Sequence, residues 1–324
     1  MLVREKKGMR SELFRRHIEK LARETWLVSW ELIRIMVPVV IVVKVLEEIG
    51  GVRILSGLLT PIMQLIGLPG ELGLVWAAAM LTSLYGGIAV FAALAPGLDL
   101  TVAQVTVLCS AMLLAHALPV ELSVSKKAGA PLWPIALLRF GGALVYGVLL
   151  DRFCLAIGVW QEPADLLFGA APAEPTLGQW CVQQLSNIGL IVVVIFCILL
   201  LMRFLRRIGL LGLLERLLAP VLPLFGMSRE AASLTVVGMV MGLGYGGALI
   251  IRESKNGGMG KRQVLNAMAL MGLCHGLLED TLVMMAVGGK LAGIFWGRIL
   301  FSLVVTFLLV RILSILPDKV EEAG

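Results

Sequence analysis

Charge is what this sequence has least of. Lys, Arg, Asp and Glu make up 15% of its 324 residues, against about 25% in an average soluble domain. No polar stretch is long enough to build a soluble domain of any size. The alternating apolar pattern of a membrane barrel is also absent. There is no Walker A motif, no GxSxG, and no GxGxxG in a strand–turn–helix setting. Nothing therefore predicts an enzyme, and ATP-driven transport would need a partner chain. CxxC and HExxH spacings are missing, so a tight structural metal site is unsupported and any metal is unknown. Passage of a divalent metal stays open: Met271, Cys274, His275, Glu279, Asp280, Met284 and Met285 make a mixed soft and hard set. Five cysteines cannot all pair. Cys109, Cys197 and Cys274 lie in apolar runs and read as packing residues. Cys154 and Cys181 flank a polar loop, where a disulfide is left open.

What remains is apolar. Hydrophobic residues are 59% of the chain and mean hydropathy is +0.94. Several runs approach the roughly 20 residues that span a bilayer. The reading is an all-α integral membrane protein, with the lipid bilayer as its first partner. Residues 1–26 form a cytoplasmic amphipathic helix in this reading. Arg4, Lys6, Lys7, Arg10, Arg15, Arg16, Lys20 and Arg23 surround Phe14, Ile18 and Leu21 at helical spacing, which suits an anionic leaflet. The same basic residues serve membrane topology, so no nucleic-acid partner is expected. The stretch is too long and too acidic for a signal-peptide n-region.

The chain is written twice. "LLTPIMQLIGL" (58–68) matches "LLAPVLPLFGM" (217–227), pairing Pro61 with Pro220 and Gly67 with Gly226. "LYGGIAV" (84–90) matches "GYGGALI" (244–250). His116 then meets His275, Glu121 meets Asp280, and Arg139 meets Arg298. Repeats occupy 27–152 and 186–314, with a tail at 315–324. Between them, residues 153–185 carry Glu162, Asp165 and Glu174 but no Lys or Arg, which predicts an extracytoplasmic acidic loop. Each half would then cross an odd number of times, making the repeats inverted, as in secondary transporters.

Within each half we expect an interfacial helix, a Gly-broken re-entrant hairpin and about three transmembrane helices. The spans are 27–47, 101–121 and 131–150, then 186 onward, 263–286 and 290–311. The hairpins would turn near Gly86-Gly87 and Gly246-Gly247, keeping the basic segment 252–262 inside. Both termini would be cytoplasmic, in a bacterial inner membrane.

Ionisable groups at membrane depth cost several kcal/mol unless paired or hydrated. They are few here, and they fall at matching places. His275 and Glu279 are four apart, hence on one helical face; Asp280 and Thr281 follow. In the first copy stand His116 and Glu121, with Pro119 freeing backbone carbonyls. These are the candidate substrate or ion ligands. Arg139 and Arg298 are structural ion-pair candidates, for Glu121 and Asp280 respectively. Tyr85, Gly86, Gly87, Tyr245, Gly246 and Gly247 form the other candidate set, since hairpin glycines let backbone amides approach a ligand and tyrosine can stack or donate. Close packing by small residues is the alternative.

The repeat "LLTPIMQLIGLPGE…YGG" and "LLAPVLPLFGMSRE…GYGG", with "CHGLLEDT" (274–281), resembles the Gate or nucleoside-recognition membrane family. That family is similar to the core of concentrative nucleoside transporters, the permease part of bacterial ferrous-iron transporters, and spore-maturation membrane proteins. The resemblance implies a secondary transporter of a small polar solute, nucleoside-like, coupled to a proton or cation and needing no other cofactor. A divalent-metal permease or a non-transporting membrane assembly partner are the alternatives it leaves. A homo-oligomer stays open. The hairpin glutamine and glutamate motifs of the nucleoside transporters are not evident at either YGG.

Overall fold

The computed structural model describes residues 33–168, 176–218 and 220–315, with isolated positions between 23 and 30. The amphipathic stretch 1–26 and the tail 315–324 lie almost entirely outside them. Among the described residues the chain is helical, with a single isolated bridge between Thr101 and Pro163. The helices are α1 (33–48), α2 (Gly51–Leu65), α3 (Leu72–Leu81), α4 (Leu84–Leu94), α5 (Val102–Leu114), α6 (Leu118–Ala128) and α7 (Leu132–Ile157). They continue with α8 (Leu177–Arg207), α9 (Leu210–Leu218), α10 (Arg229–Met241), α11 (Leu243–Lys255), α12 (Lys261–Leu273), α13 (Glu279–Val287) and α14 (Arg298–Ile315). A π-helical turn, Ala292–Gly297, leads into α14.

Among the described residues four stretches are long and apolar enough to cross a membrane: Val102–Ala128, Leu132–Ile157, Leu177–Leu205 and Ala292–Ile315. Six spans were expected. Span 27–47 falls partly outside the described residues, and 263–286 is divided between α12 and α13. Polarity is distributed inside out. Leu137, Val145, Leu149 and Phe153 of α7, and Leu300, Val304 and Phe307 of α14, point outward. Arg139, Arg298, His116, His275, Thr106, Ser110 and Ser302 are buried. An outer surface this apolar is solvated by lipid rather than water. The protein is a membrane protein on this ground.

Local breakers divide the apolar runs. Helix α3 stops at Thr82, whose hydroxyl donates back to the Ala78 carbonyl. Ser83 restarts the chain by capping α4, its hydroxyl accepting from Gly86 N at 3.3 Å. Gly242 alone separates α10 from α11. Each pair folds back on itself. The reversals lie about Thr82-Ser83 and Gly242, four residues before the expected YGG tips. Gly87 lies under Ala79, and Gly246 lies under Gly238, where an added Cβ would stand 2.7 Å and 2.1 Å from those residues. The glycines permit close helix packing, which was the alternative reading of the motif.

Helix α2 is too short to span. It presents Ile54, Leu58 and Leu65 outward and buries Met63. Its last turn is closed by Gly67 at φ +72, and Gly226 closes the corresponding turn at φ +68. The apolar core falls into two bodies. One gathers α1 to α5, α7 and α8; the other gathers α10 to α12 with the ends of α6 and α7. Helix α11 lies on α6, with Gly247 beneath Val124. Cys154 is buried in α7, Cys181 is exposed on α8, and both are free thiols. No disulfide joins them.

Candidate functional site

The long runs 102–128 and 261–287 are each interrupted midway, and the interruptions carry the histidines. In the first, α5 ends at Leu114 and α6 begins at Leu118, with Pro119 in its first turn, where proline costs no hydrogen bond. Ala117 takes a left-handed φ of 45. Its counterpart Gly276 takes φ 58, which glycine adopts without strain. In the second, α12 ends at Leu273 and α13 begins at Glu279. His275 and Glu279 therefore do not share a helical face. The chain turns between them, and the four-residue spacing loses its meaning.

A break strands backbone groups that lipid cannot satisfy. The fold answers with side chains from neighbouring helices. Arg139 Nε donates to Leu114 O at 3.0 Å and its Nη2 to His116 O at 3.1 Å. Arg298 repeats this on Leu273 O and His275 O, both at 2.9 Å. Trp76 Nε1 donates to Ala115 O at 3.2 Å. The amides of Ala117 and Leu277 donate to Ala79 O and Met239 O, each at 2.9 Å. Both breaks are thus tied to the first arm of a helix pair. The two arginines are 1% and 0% exposed. They were expected as ion-pair partners, and the carbonyl-clamping role had no signal in the sequence. Trp76 and Met112 were missed for the same reason, and Met271, named for its sulfur, acts instead through its backbone carbonyl.

The two breaks meet. His116 Nε2 and His275 Nε2 face each other at 3.2 Å, from residues 159 apart. Glu121 Oε1 lies 3.3 Å from the first and 3.1 Å from the second. Its other oxygen, Oε2, is in direct contact with Arg139 Nη1. Each ring's Nδ1 sits 2.8 Å from a carbonyl four residues earlier, Met112 O or Met271 O. A carbonyl only accepts, so each Nδ1 carries the proton and donates it. Each ring then turns its Nε2 toward the other ring and toward the carboxylate.

The remaining candidates divide. Asp280 joins the cluster: one of its oxygens and one nitrogen from each histidine lie within 4.8 Å of one another. Among the described residues no ion pair links it to Arg298, so that expected pair is not formed, while the Glu121–Arg139 pair is. Arg298 Nη1 is buried without a hydrogen-bond partner among the described residues. Glu279 and Asp280 lie within electrostatic reach of the partly buried Tyr85. Thr281 is buried, its hydroxyl without a partner among the described residues. Tyr245 is 57% exposed, on the outer surface rather than buried as the histidines are. The amides of Gly86, Gly87 and Gly246 are taken by Ser83 and Gly242, so they are not free to cradle a ligand. Both carboxylates of the cluster fall in the first turns of α6 and α13, where the helix dipole favours negative charge.

Such an architecture, with apolar helices outside and two broken helices joined by histidines inside, defines a polytopic membrane protein of transporter-like build. The family described as nucleoside recognition (Gate) matches residues 29–130. That range holds His116, Glu121 and the first YGG, and the resemblance to this family read from the repeat motifs holds there. The chain is also similar to the uncharacterized membrane protein YvoD of Bacillus subtilis (strain 168), at 29% identity over 270 residues. These cover 80% of this chain and 83% of that one. No solved structure matches.

Proposed function

We propose that the protein is a secondary transporter of a small polar solute, in which the His116–His275–Glu121 cluster binds the coupling cation. The observation that carries this reading is the meeting of two broken helices at 3.2 Å through their histidines. A single cation there touches both halves at once. Its arrival or loss therefore changes the balance between the halves, which is what alternating access requires. We take the halves to be inverted in the membrane, with α3–α4 and α10–α11 as re-entrant pairs and both termini cytoplasmic. The basic residues Arg252, Lys255, Lys261 and Arg262 around α11 and α12 support that orientation. The nucleoside-recognition description of the matched family makes a nucleoside the first solute to try. Tyr85, within electrostatic reach of Glu279 and Asp280, is where a base would stack and hydrogen-bond.

The test is uptake of labelled nucleosides into proteoliposomes under an imposed pH or metal-ion gradient. Gradient-dependent uptake is expected, with at least about a tenfold loss for Asp280→Asn, the size a lost charge-assisted contact supports. Gradient-independent flux, or uptake indifferent to Asp280→Asn and His275→Gln together, would sink the coupling role.

A further inference from the structure

The geometry points to a tetrahedral binding site for a divalent transition-metal ion, with His116 Nε2, His275 Nε2 and Glu121 Oε1 as ligands and Asp280 closing the fourth position. The three ligand atoms form a triangle with edges of 3.2, 3.3 and 3.1 Å. Bonds of about 2.0–2.1 Å to nitrogen and about 2.0–2.2 Å to oxygen, set at tetrahedral angles, put ligand atoms about 3.3 Å apart. The triangle is therefore one face of such a coordination shell. Two imidazole nitrogens and a carboxylate oxygen from the two breaks converge on one point that a cation can take.

Outer contacts agree with the assignment. Metal-bound histidines donate their other ring N–H to a carbonyl or carboxylate, as both Nδ1 groups do here at 2.8 Å. Arg139 holds Oε2 of Glu121, leaving Oε1 for the ion. Both histidines are buried, at 6% and 3% exposure. An Asp280 oxygen lies within 4.8 Å of a nitrogen of each histidine, so a small turn of its side chain brings the carboxylate to the fourth position. Two imidazoles with carboxylate suit zinc, cobalt or ferrous ions, whereas calcium and magnesium require shells of oxygen. No short spacing announces the site, because the ligands come from two breaks 159 residues apart. This assignment rests on reading the cluster as a cation centre and not on transport.

The experiment uses the untagged full chain in detergent, titrated with cobalt(II) alone. We expect one equivalent to give the intense visible d–d bands of four-coordinate cobalt, and zinc to bleach them. His275→Ala and His116→Ala should each weaken binding by more than about tenfold, while His17→Ala, which removes the third histidine, should not. Zinc X-ray absorption on the unsubstituted protein supplies a reading that needs no variant: two imidazoles with oxygen ligands are expected. Absence of the cobalt bands, their survival in His116→Ala/His275→Ala, or a zinc shell with sulfur or a single imidazole would overturn the proposal. A cluster holding a shared proton only gives the first of these results. Cobalt binding without solute uptake would retain the metal site and reject the transport reading. Uptake without cobalt binding would do the reverse.

Discussion

Ala117 and Glu121 carry the first copy of the site by different means, one through its backbone and one through its charge. Ala117 holds a left-handed φ of 45 where the second copy has Gly276 at φ 58. The left-handed conformation costs a residue with a Cβ about 1–2 kcal/mol. Glycine's extra freedom in the unfolded chain returns part of this. Ala117→Gly should therefore raise thermal stability by about 0.5–1 kcal/mol, read as an upward shift in detergent melting. Glu121 neutralises a fully buried Arg139. Glu121→Gln leaves that charge unpaired and should cost about 3–5 kcal/mol. Asp280 is half-buried and forms no ion pair with Arg298 among the described residues. Asp280→Asn should accordingly stay folded, with a melting point close to that of the unsubstituted protein, while losing cation binding. A melting loss as large as that of Glu121→Gln would show Asp280 to be scaffold.

Helix pairs show what the glycines do. A Cβ at Gly246 would stand 2.1 Å from the Cα of Gly238, while one at Gly244 meets nothing within 4 Å. Gly246→Ala forces α10 and α11 apart and should cost about 1–3 kcal/mol by overpacking. Gly244→Ala, two residues away, should be neutral or mildly stabilising, since alanine favours helix over glycine. Equal effects at both positions would mean that the pair is not packed as described. The chain reverses at Ser83 and Gly242 rather than at YGG because the cap and the backbone break decide where helix ends. The sequence motif marks where two helices touch, not where they turn.

At the scale of the whole molecule, two halves share one centre. Arg139 and Arg298 make the same pair of hydrogen bonds to carbonyls of their own copy. The carboxylates differ: Glu121 reaches both histidines and its arginine, while Asp280, one methylene shorter, does not reach Arg298. The scaffold is doubled, while only the Glu121 carboxylate is paired with its arginine among the described residues. Asp280→Arg combined with Arg298→Asp should therefore fail to restore a folded protein, since it removes the clamp on Leu273 O and His275 O. Recovery of folding and activity in that double variant would show a pair where the structure has none. Topology is tested separately by placing cysteines in 252–262; labelling from the outer face would reject the re-entrant arrangement of α10 and α11.

Composition and spacing alone determined that this chain lives in a membrane and that its motifs are written twice, and they singled out His116, His275, Glu121, Asp280 and the two arginines among the candidates. Apolar runs, and charges too costly to keep without purpose, are legible one residue at a time. Which of these residues touch was decided by tertiary structure. Periodicity assumed a continuous helix through 273–285 and so joined His275 to Glu279; the break at Cys274–Leu278 instead carried His275 across to His116 and Glu121 of the other half. Spacing along a chain fixes neighbours only while one helix persists. Where the backbone is interrupted, the partners of each side chain are set by which helices supply hydrogen bonds to the stranded carbonyls, and that is a property of the packed molecule.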